Sequence, residues 1–216
     1  KKDTRENHKN NDWIWILDPL DGTKDFIQGT GNYAMHLGLN HKNKPYLGVV
    51  LIPEKNELWL CNGETVWCEG RDGSKKKNNV FLKDKLSEMT IVISKNHRNH
   101  ILNKLIEELD FKKKIEMGSI GCKIASIMRG ESDIYLSLSL KGQNCPKDWD
   151  FAAPEALLKA AGGCISNLNN KALTYNNSCF EQRGLIIASN NAWFHKNICL
   201  KVNQIIEKYD NFQLNY

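Results

Sequence analysis

"WIWILDPLDGTKDF", residues 13–26, runs an apolar stretch straight into two aspartates three residues apart. Carboxylates are among the side chains least often buried without a partner, and two of them at the mouth of a strand repel each other. The pattern calls for something cationic beside them. Residues 13–17 read as a buried strand, and Asp21-Gly22-Thr23 as the start of a short helix that Asp21 is able to cap, with the Gly22 and Thr23 amides among its unpaired donors. An exposed helix start attracts phosphate. The plainer reading of D-x-x-D-G-T, a turn with a capping aspartate, stays open on this stretch alone, although the strand before it and the helix after it weigh against that.

Outward from this stretch, short apolar runs bounded by turn residues predict strands at 13–17, 33–39, 47–52, 57–60 and 65–68. Their short connections favour antiparallel pairing. After the polar run RDGSKKKNN, read as a linker, the pattern becomes a strand (89–94), a helix (97–109), a strand (114–117), a helix (122–129) and a strand (134–138). A helix at 151–161, strands near 164–166 and 185–189, and a helix from about 192 complete the chain. The expectation is an α+β protein with an antiparallel sheet lobe at 1–80 and a mixed-sheet α/β lobe at 81–216.

A second acidic position stands in "PKDWDFAAPEALLKAAGG", residues 146–163. Asp150 precedes an Ala-rich helical pattern that stops at Gly162-Gly163, which suits it as an N-cap, and Pro154 falls in the expected first turn, where a missing amide costs little. Capping alone is one sufficient explanation of Asp150.

Composition narrows the class. With 216 residues, 41% of them hydrophobic, the chain can bury a substantial core. No apolar run approaches the roughly 20 residues of a membrane-spanning helix, and the first residues lack the apolar centre of a signal peptide, so a cytoplasmic setting without a membrane partner is expected. Seven scattered cysteines without a C-x-x-C pair suggest neither a zinc site nor a disulfide framework. A formal charge of +5 with short basic stretches argues against a nucleic-acid stripe. The chain opens on Lys1 rather than methionine, and the first strand follows almost at once, which points to an N-terminal truncation.

DPLDGT (Asp18 to Thr23) followed far downstream by WD-x-x-A and AGG (Trp149, Asp150, Ala153, Ala161 to Gly163) resembles the two signatures of the inositol monophosphatase-like superfamily of magnesium-dependent, lithium-sensitive phosphatases. Lys24-Asp25-Phe26 looks like the continuation in CysQ-type 3'(2'),5'-bisphosphate nucleotidases, and "GSIGCKIASIMRGESDIY", residues 118–135, is similar to their segment beside the nucleotide. PKDWDFAAPE looks most like cyanobacterial and plant members.

The resemblance implies a layered α/β/α/β sandwich and a role for each matching position. Asp18 would bridge two magnesium ions, the Leu20 carbonyl would complete one site, and Asp21 with Asp150 the other, which neutralises the clustered carboxylates. Such a pair of ions clamps the attacking and leaving oxygens of an in-line displacement and lowers the pKa of a bound water. Thr23 would orient that water, the Gly22 and Thr23 amides would hold phosphate oxygens, and His97, Ser119 and Lys123 match substrate-contacting positions. A histidine like His97 is also compatible with a plain surface position, and Ser94 carries a weaker signal.

The implied activity is removal of the 3'-phosphate from adenosine 3',5'-bisphosphate and its 5'-phosphosulfate analogue, in sulfur-assimilation metabolism. The partner would then be a small phosphorylated molecule rather than nucleic acid, for a monomer or a homodimer. Two departures keep alternatives open. The family's Glu-Glu element would fall before Lys1, with Glu6 the only glutamate nearby, and Tyr135-Leu136-Ser137 stands where some nucleotidases carry an arginine. Inositol monophosphatase or sugar bisphosphatase activity, or a non-catalytic metal- and nucleotide-binding module, are the alternatives.

Overall fold

Alternation of apolar and polar residues carries the first part of the chain into an antiparallel meander. In the computed structural model, which describes residues 12–76, 82–96 and 98–208, six strands form one sheet in chain order: β1 (Trp13–Asp21), β2 (Ala34–His41), β3 (Lys44–Ile52), β4 (Glu57–Cys61), β5 (Val66–Glu69) and β6 (Lys75–Lys76). The turn between β2 and β3 holds Lys42 and Asn43 at φ 49° and 58°, the left-handed pair that matches the twist of a tight hairpin. Two expectations are corrected here. The run RDGSKKKNN is not all linker, because Lys75 and Lys76 pair with Glu69 and Cys68 as β6. β1 is an edge strand rather than a buried one, with Trp15 62% exposed and Leu17 52% exposed.

The second sheet has the order β10-β11-β9-β7-β8, built from β7 (Thr90–Ser94), β8 (Lys113–Met117), β9 (Ile134–Ser139), β10 (Cys164–Asn167) and β11 (Gly184–Ser189). β7 runs parallel to β8 and β9, and the other pairs are antiparallel. Five α-helices stand among the described residues: α1 (Thr23–Ile27), α2 (His100–Glu108), α3 (Ile120–Met128), α4 (Asp148–Ala160) and α5 (Ala192–Lys208).

Period-two alternation in the second sheet separates two cores. Tyr135, Ile186 and Ala188 face α3, α4 and the first sheet. Ile134, Leu136, Leu185 and Ile187 face Leu102 and Leu105 of α2 and Phe194 and Ile198 of α5. The layers therefore run α2/α5, mixed sheet, α3/α4, antiparallel sheet, which is the expected α+β sandwich. Every residue of α3 is buried, as befits a helix enclosed between two sheets.

α4 positions the site. Its small residues lie on two strand glycines: a Cβ on Gly38 would stand 3.1 Å from Ala152 Cβ, and one on Gly48 would stand 2.5 Å from the Ala153 carbonyl oxygen. Further along, the Tyr175 hydroxyl donates a 2.5 Å hydrogen bond to Glu155, whose carboxyl burial pushes up to about 7. α4 also begins earlier than expected. Lys147, not Asp150, is the N-cap, and Pro154 lies inside the helix instead of in its first turn. Buried Asp148 secures the added residues by accepting from the Asn176 amide and from Gln182 Nε2, both at 2.7 Å.

Alanine at Gly48 measures this close approach. A strand interior favours alanine over glycine by about 0.5–1 kcal/mol, whereas overpacking against backbone costs about 1–3 kcal/mol. Gly48→Ala is therefore expected to lower the midpoint of urea unfolding. A neutral or stabilised variant would show that the helix does not rest on the glycines.

Candidate active site

In an unbroken strand, residues three apart point to opposite faces. β1 departs from that rule where the acids lie. Asp18 pairs with His36 and Asp21 with Ala34, so β1 takes three steps (18 to 21) where β2 takes two (36 to 34). The extra residue makes a bulge at Pro19-Leu20, where a proline without an N–H is tolerated. The bulge brings Asp21 round to the side of Asp18, whose Oδ1 accepts from the Leu20 amide at 3.0 Å. Asp150, in the first turn of α4, completes the group. One carboxylate oxygen from each of Asp18, Asp21 and Asp150 lies within 4.8 Å of the other two.

Neither Asp21 nor Asp150 plays the capping role expected of it. The N-cap of α1 is Gly22, at φ 84° and without a side-chain cap bond, and this left-handed turn leaves Asp21 free to face α3. Asp21 Oδ2 accepts from Ser119 Oγ at 2.7 Å and from the Gly121 amide at 3.2 Å. Those donors belong to the first turn of α3, where unpaired amides favour negative charge. Asp150 occupies the third helical position, and its carboxylate accepts from the Lys147 amide at 2.6 Å.

The acids open into a cleft of about 620 Å³. Leu20, Gly22, Thr23, Ser119 and Lys123 line it with them, as does Ser94. Thr23 Oγ1 donates to the Leu20 carbonyl at 3.3 Å. Ser119 caps α3 by accepting from the Cys122 amide at 3.1 Å while its hydroxyl holds Asp21. Lys123 is 3% exposed; its amine donates to the Ser119 carbonyl at 3.3 Å and lies 5.1 Å from the centre of the Tyr135 ring. His97 lies outside the described residues. Lys24, Lys95 and Arg98 add positive charge to the cleft, Arg98 being paired with Glu116 at 2.6 Å. An acidic cluster and cationic groups thus share one cleft.

Two further residues at the site escape a reading of the sequence. Asp25 is buried, accepting from Thr30 Oγ1 at 2.7 Å and from Asn96 Nδ2 at 3.2 Å. A Cβ at Gly118 would fall 2.2 Å from its Oδ2, so α1, the segment after β7 and the approach to α3 meet around one carboxylate. Its signal was a charge inside the D-G-T-K-D-F run. His36, fully buried on β2, lies 3.3 Å from Asp21 Oδ2, and its position opposite Asp18 depends on a register that only the paired strands reveal.

The layered two-sheet fold and the acidic cleft it carries have counterparts among known proteins. The profile of the Inositol monophosphatase family matches residues 1–207, and the chain belongs to that family. It is 33% identical over 161 residues to the 3'(2'),5'-bisphosphate nucleotidase CysQ of Buchnera aphidicola, covering 74% of this chain and 57% of that protein. The Escherichia coli protein of the same name is 30% identical over 162 residues, covering 74% and 61%. The matches thus span about three-fifths of these relatives' length. Among solved structures, CysQ from Bacteroides thetaiotaomicron superposes with a TM-score of 0.73 at 23% identity, over 88% of this chain and 75% of that one. Inositol monophosphatase from Anabaena superposes with a TM-score of 0.72 at 22% identity, over 91% and 74%. These likenesses establish the shared fold. No helix among the described residues is long and apolar enough to cross a membrane, and all seven cysteines are free thiols.

Converging carboxylates repel in the absence of a counter-ion. Asp18→Asn is expected to raise the melting temperature in chelator by about 2–4 °C for each kcal/mol relieved. Millimolar magnesium should raise the melting temperature of the parent and leave that of the variant nearly unmoved. A parent whose melting temperature ignores divalent cations would contradict a cation site here.

Proposed function

We propose that this chain forms the catalytic part of a magnesium-dependent phosphomonoesterase that removes the 3'-phosphate of adenosine 3',5'-bisphosphate and of its 5'-phosphosulfate analogue. The observation that carries the reading is the convergence of Asp18, Asp21 and Asp150 in a cleft that also holds Lys123 and Ser119. A phosphate ester is repelled by carboxylates alone, so substrate and acids are compatible only with cations between them. Three carboxylate oxygens form a hard, anionic donor set of the sort magnesium accepts, and the Leu20 carbonyl adds a neutral oxygen beside them. Magnesium bound there supplies positive charge against the phosphoryl oxygens and lowers the pKa of the attacking water.

The chain's own groups supply position. Thr23, its hydroxyl hydrogen directed at the Leu20 carbonyl, has oxygen lone pairs with which to orient a water by accepting a hydrogen bond from it. The Gly22 and Thr23 amides hold phosphate oxygens at the start of α1. Lys123, Ser119 and His97 serve the remainder of the nucleotide, with the Lys123 amine a buried cation suited to a second phosphate. A cytoplasmic enzyme with a small phosphorylated nucleotide as its partner, and neither nucleic acid nor membrane, completes the reading. Two of the relatives reported above carry the nucleotidase name, which favours the nucleotide over inositol phosphates.

The test is phosphate release from adenosine 3',5'-bisphosphate and from inositol 1-phosphate, each with magnesium and with chelator. The expected result is magnesium-dependent release from the nucleotide, with Lys123→Met raising KM for it by about tenfold or more, as loss of a charge-assisted contact of about 1.5–3 kcal/mol implies. Release from inositol 1-phosphate alone overturns the substrate assignment and leaves the cation site standing. No release from either would favour a metal- and nucleotide-binding module.

A further inference from the structure

We infer that His36 is a positioning residue for the carboxylate cluster: one buried imidazole stands between the end of β1, which carries Asp18 and Asp21, and the first turn of α4, which carries Asp150. This rests on the reading of those acids as a cation site. His36 has no solvent exposure. Its backbone pairs with Asp18 across β1 and β2. Nδ1 lies 3.3 Å from the Trp149 carbonyl oxygen, and because that carbonyl can only accept, Nδ1 carries the hydrogen and donates. Trp149 is the residue next to Asp150, so the bond ties the first turn of α4 to the strand that faces Asp18. The other edge of the ring points at the remaining acid, with Nε2 3.3 Å from Asp21 Oδ2.

Packing leaves the ring no other place. A Cβ on Gly121 would fall 2.2 Å from Nε2 and 2.9 Å from Val50 Cγ1. The start of α3 thus closes on the imidazole at the turn whose Gly121 amide donates to Asp21 Oδ2. A purely space-filling residue at position 36 would do without polar atoms. His36 instead keeps Nε2 buried with no hydrogen bond of its own, an arrangement that lowers stability. That cost falls at a position that touches Asp21 and the neighbour of Asp150 while standing opposite Asp18. Side chains that orient metal-binding groups from behind typically change metal affinity by about 10–100-fold when removed.

The experiment titrates manganese into the protein and follows the free-ion signal by electron paramagnetic resonance, with melting temperatures recorded in chelator. His36→Leu keeps bulk and loses both polar contacts. It is expected to weaken manganese binding by about tenfold or more. His36→Asn places an amide nitrogen where Nδ1 stands, retains the bond to Trp149, and should bind manganese close to the parent. His36→Gln, whose amide reaches the Nε2 position instead, should bind weakly, and the Asn–Gln comparison decides the matter if His36→Leu does not fold. Equal manganese affinity in parent, Asn and Gln variants, with only melting temperatures changed, overturns the positioning role and leaves the cation site intact. A parent that takes up no manganese overturns the cation reading, and this inference with it.

Discussion

The close approach of α4 to the antiparallel sheet is the constraint on which the rest of the structure depends. Gly38 and Gly48 remove the side chains that would hold the helix off, since a Cβ at either would crowd Ala152, Ala153 or Ala156. Because α4 then sits across β2 and β3, its first turn lies over the end of β1, and Asp150 reaches the two acids of that strand. Larger residues on either surface would move the helix outward and take Asp150 away from Asp18. Side-chain volume at the sheet therefore decides whether the three acids can meet.

Charge then sets the chemistry. Each of the three carboxylates is held by donors that fix its direction: the Leu20 amide on Asp18, the Ser119 hydroxyl and Gly121 amide on Asp21, the Lys147 amide on Asp150. These contacts orient the acids without neutralising them. The fold spends stability to keep negative charges together, an arrangement that ordinarily marks a binding or catalytic centre. Lys123 and Ser119 approach the same cleft from α3, whose start joins the acids to the cationic groups through the hydrogen bonds that Ser119 Oγ and the Gly121 amide donate to Asp21.

Much of this was legible before any coordinates. Strand alternation placed most elements, and the two acidic motifs named the family and all three carboxylates. What escaped depends on distance in space. The bulge at Pro19-Leu20 is marked in the sequence only by a proline inside a strand run, although it decides that Asp18 and Asp21 face the same way. The early start of α4 depends on Asn176 and Gln182, which cap Asp148 from a distant loop. Asp21 reads as a helix cap because its neighbours fit that pattern, while the partner it takes, Ser119, lies 98 residues away. His36 looks like one more inward residue of a strand until the register sets it opposite Asp18.

The central claim, that α4 and β1 jointly build a divalent-cation site, is tested most directly by calorimetric titration of manganese into the parent and into Asp150→Asn. The account predicts saturable binding to the parent and, in the variant, a loss of about 2 kcal/mol or more of binding free energy, the scale of one charge-assisted contact. Equal affinity in both proteins would contradict it, since α4 would then contribute nothing to the site.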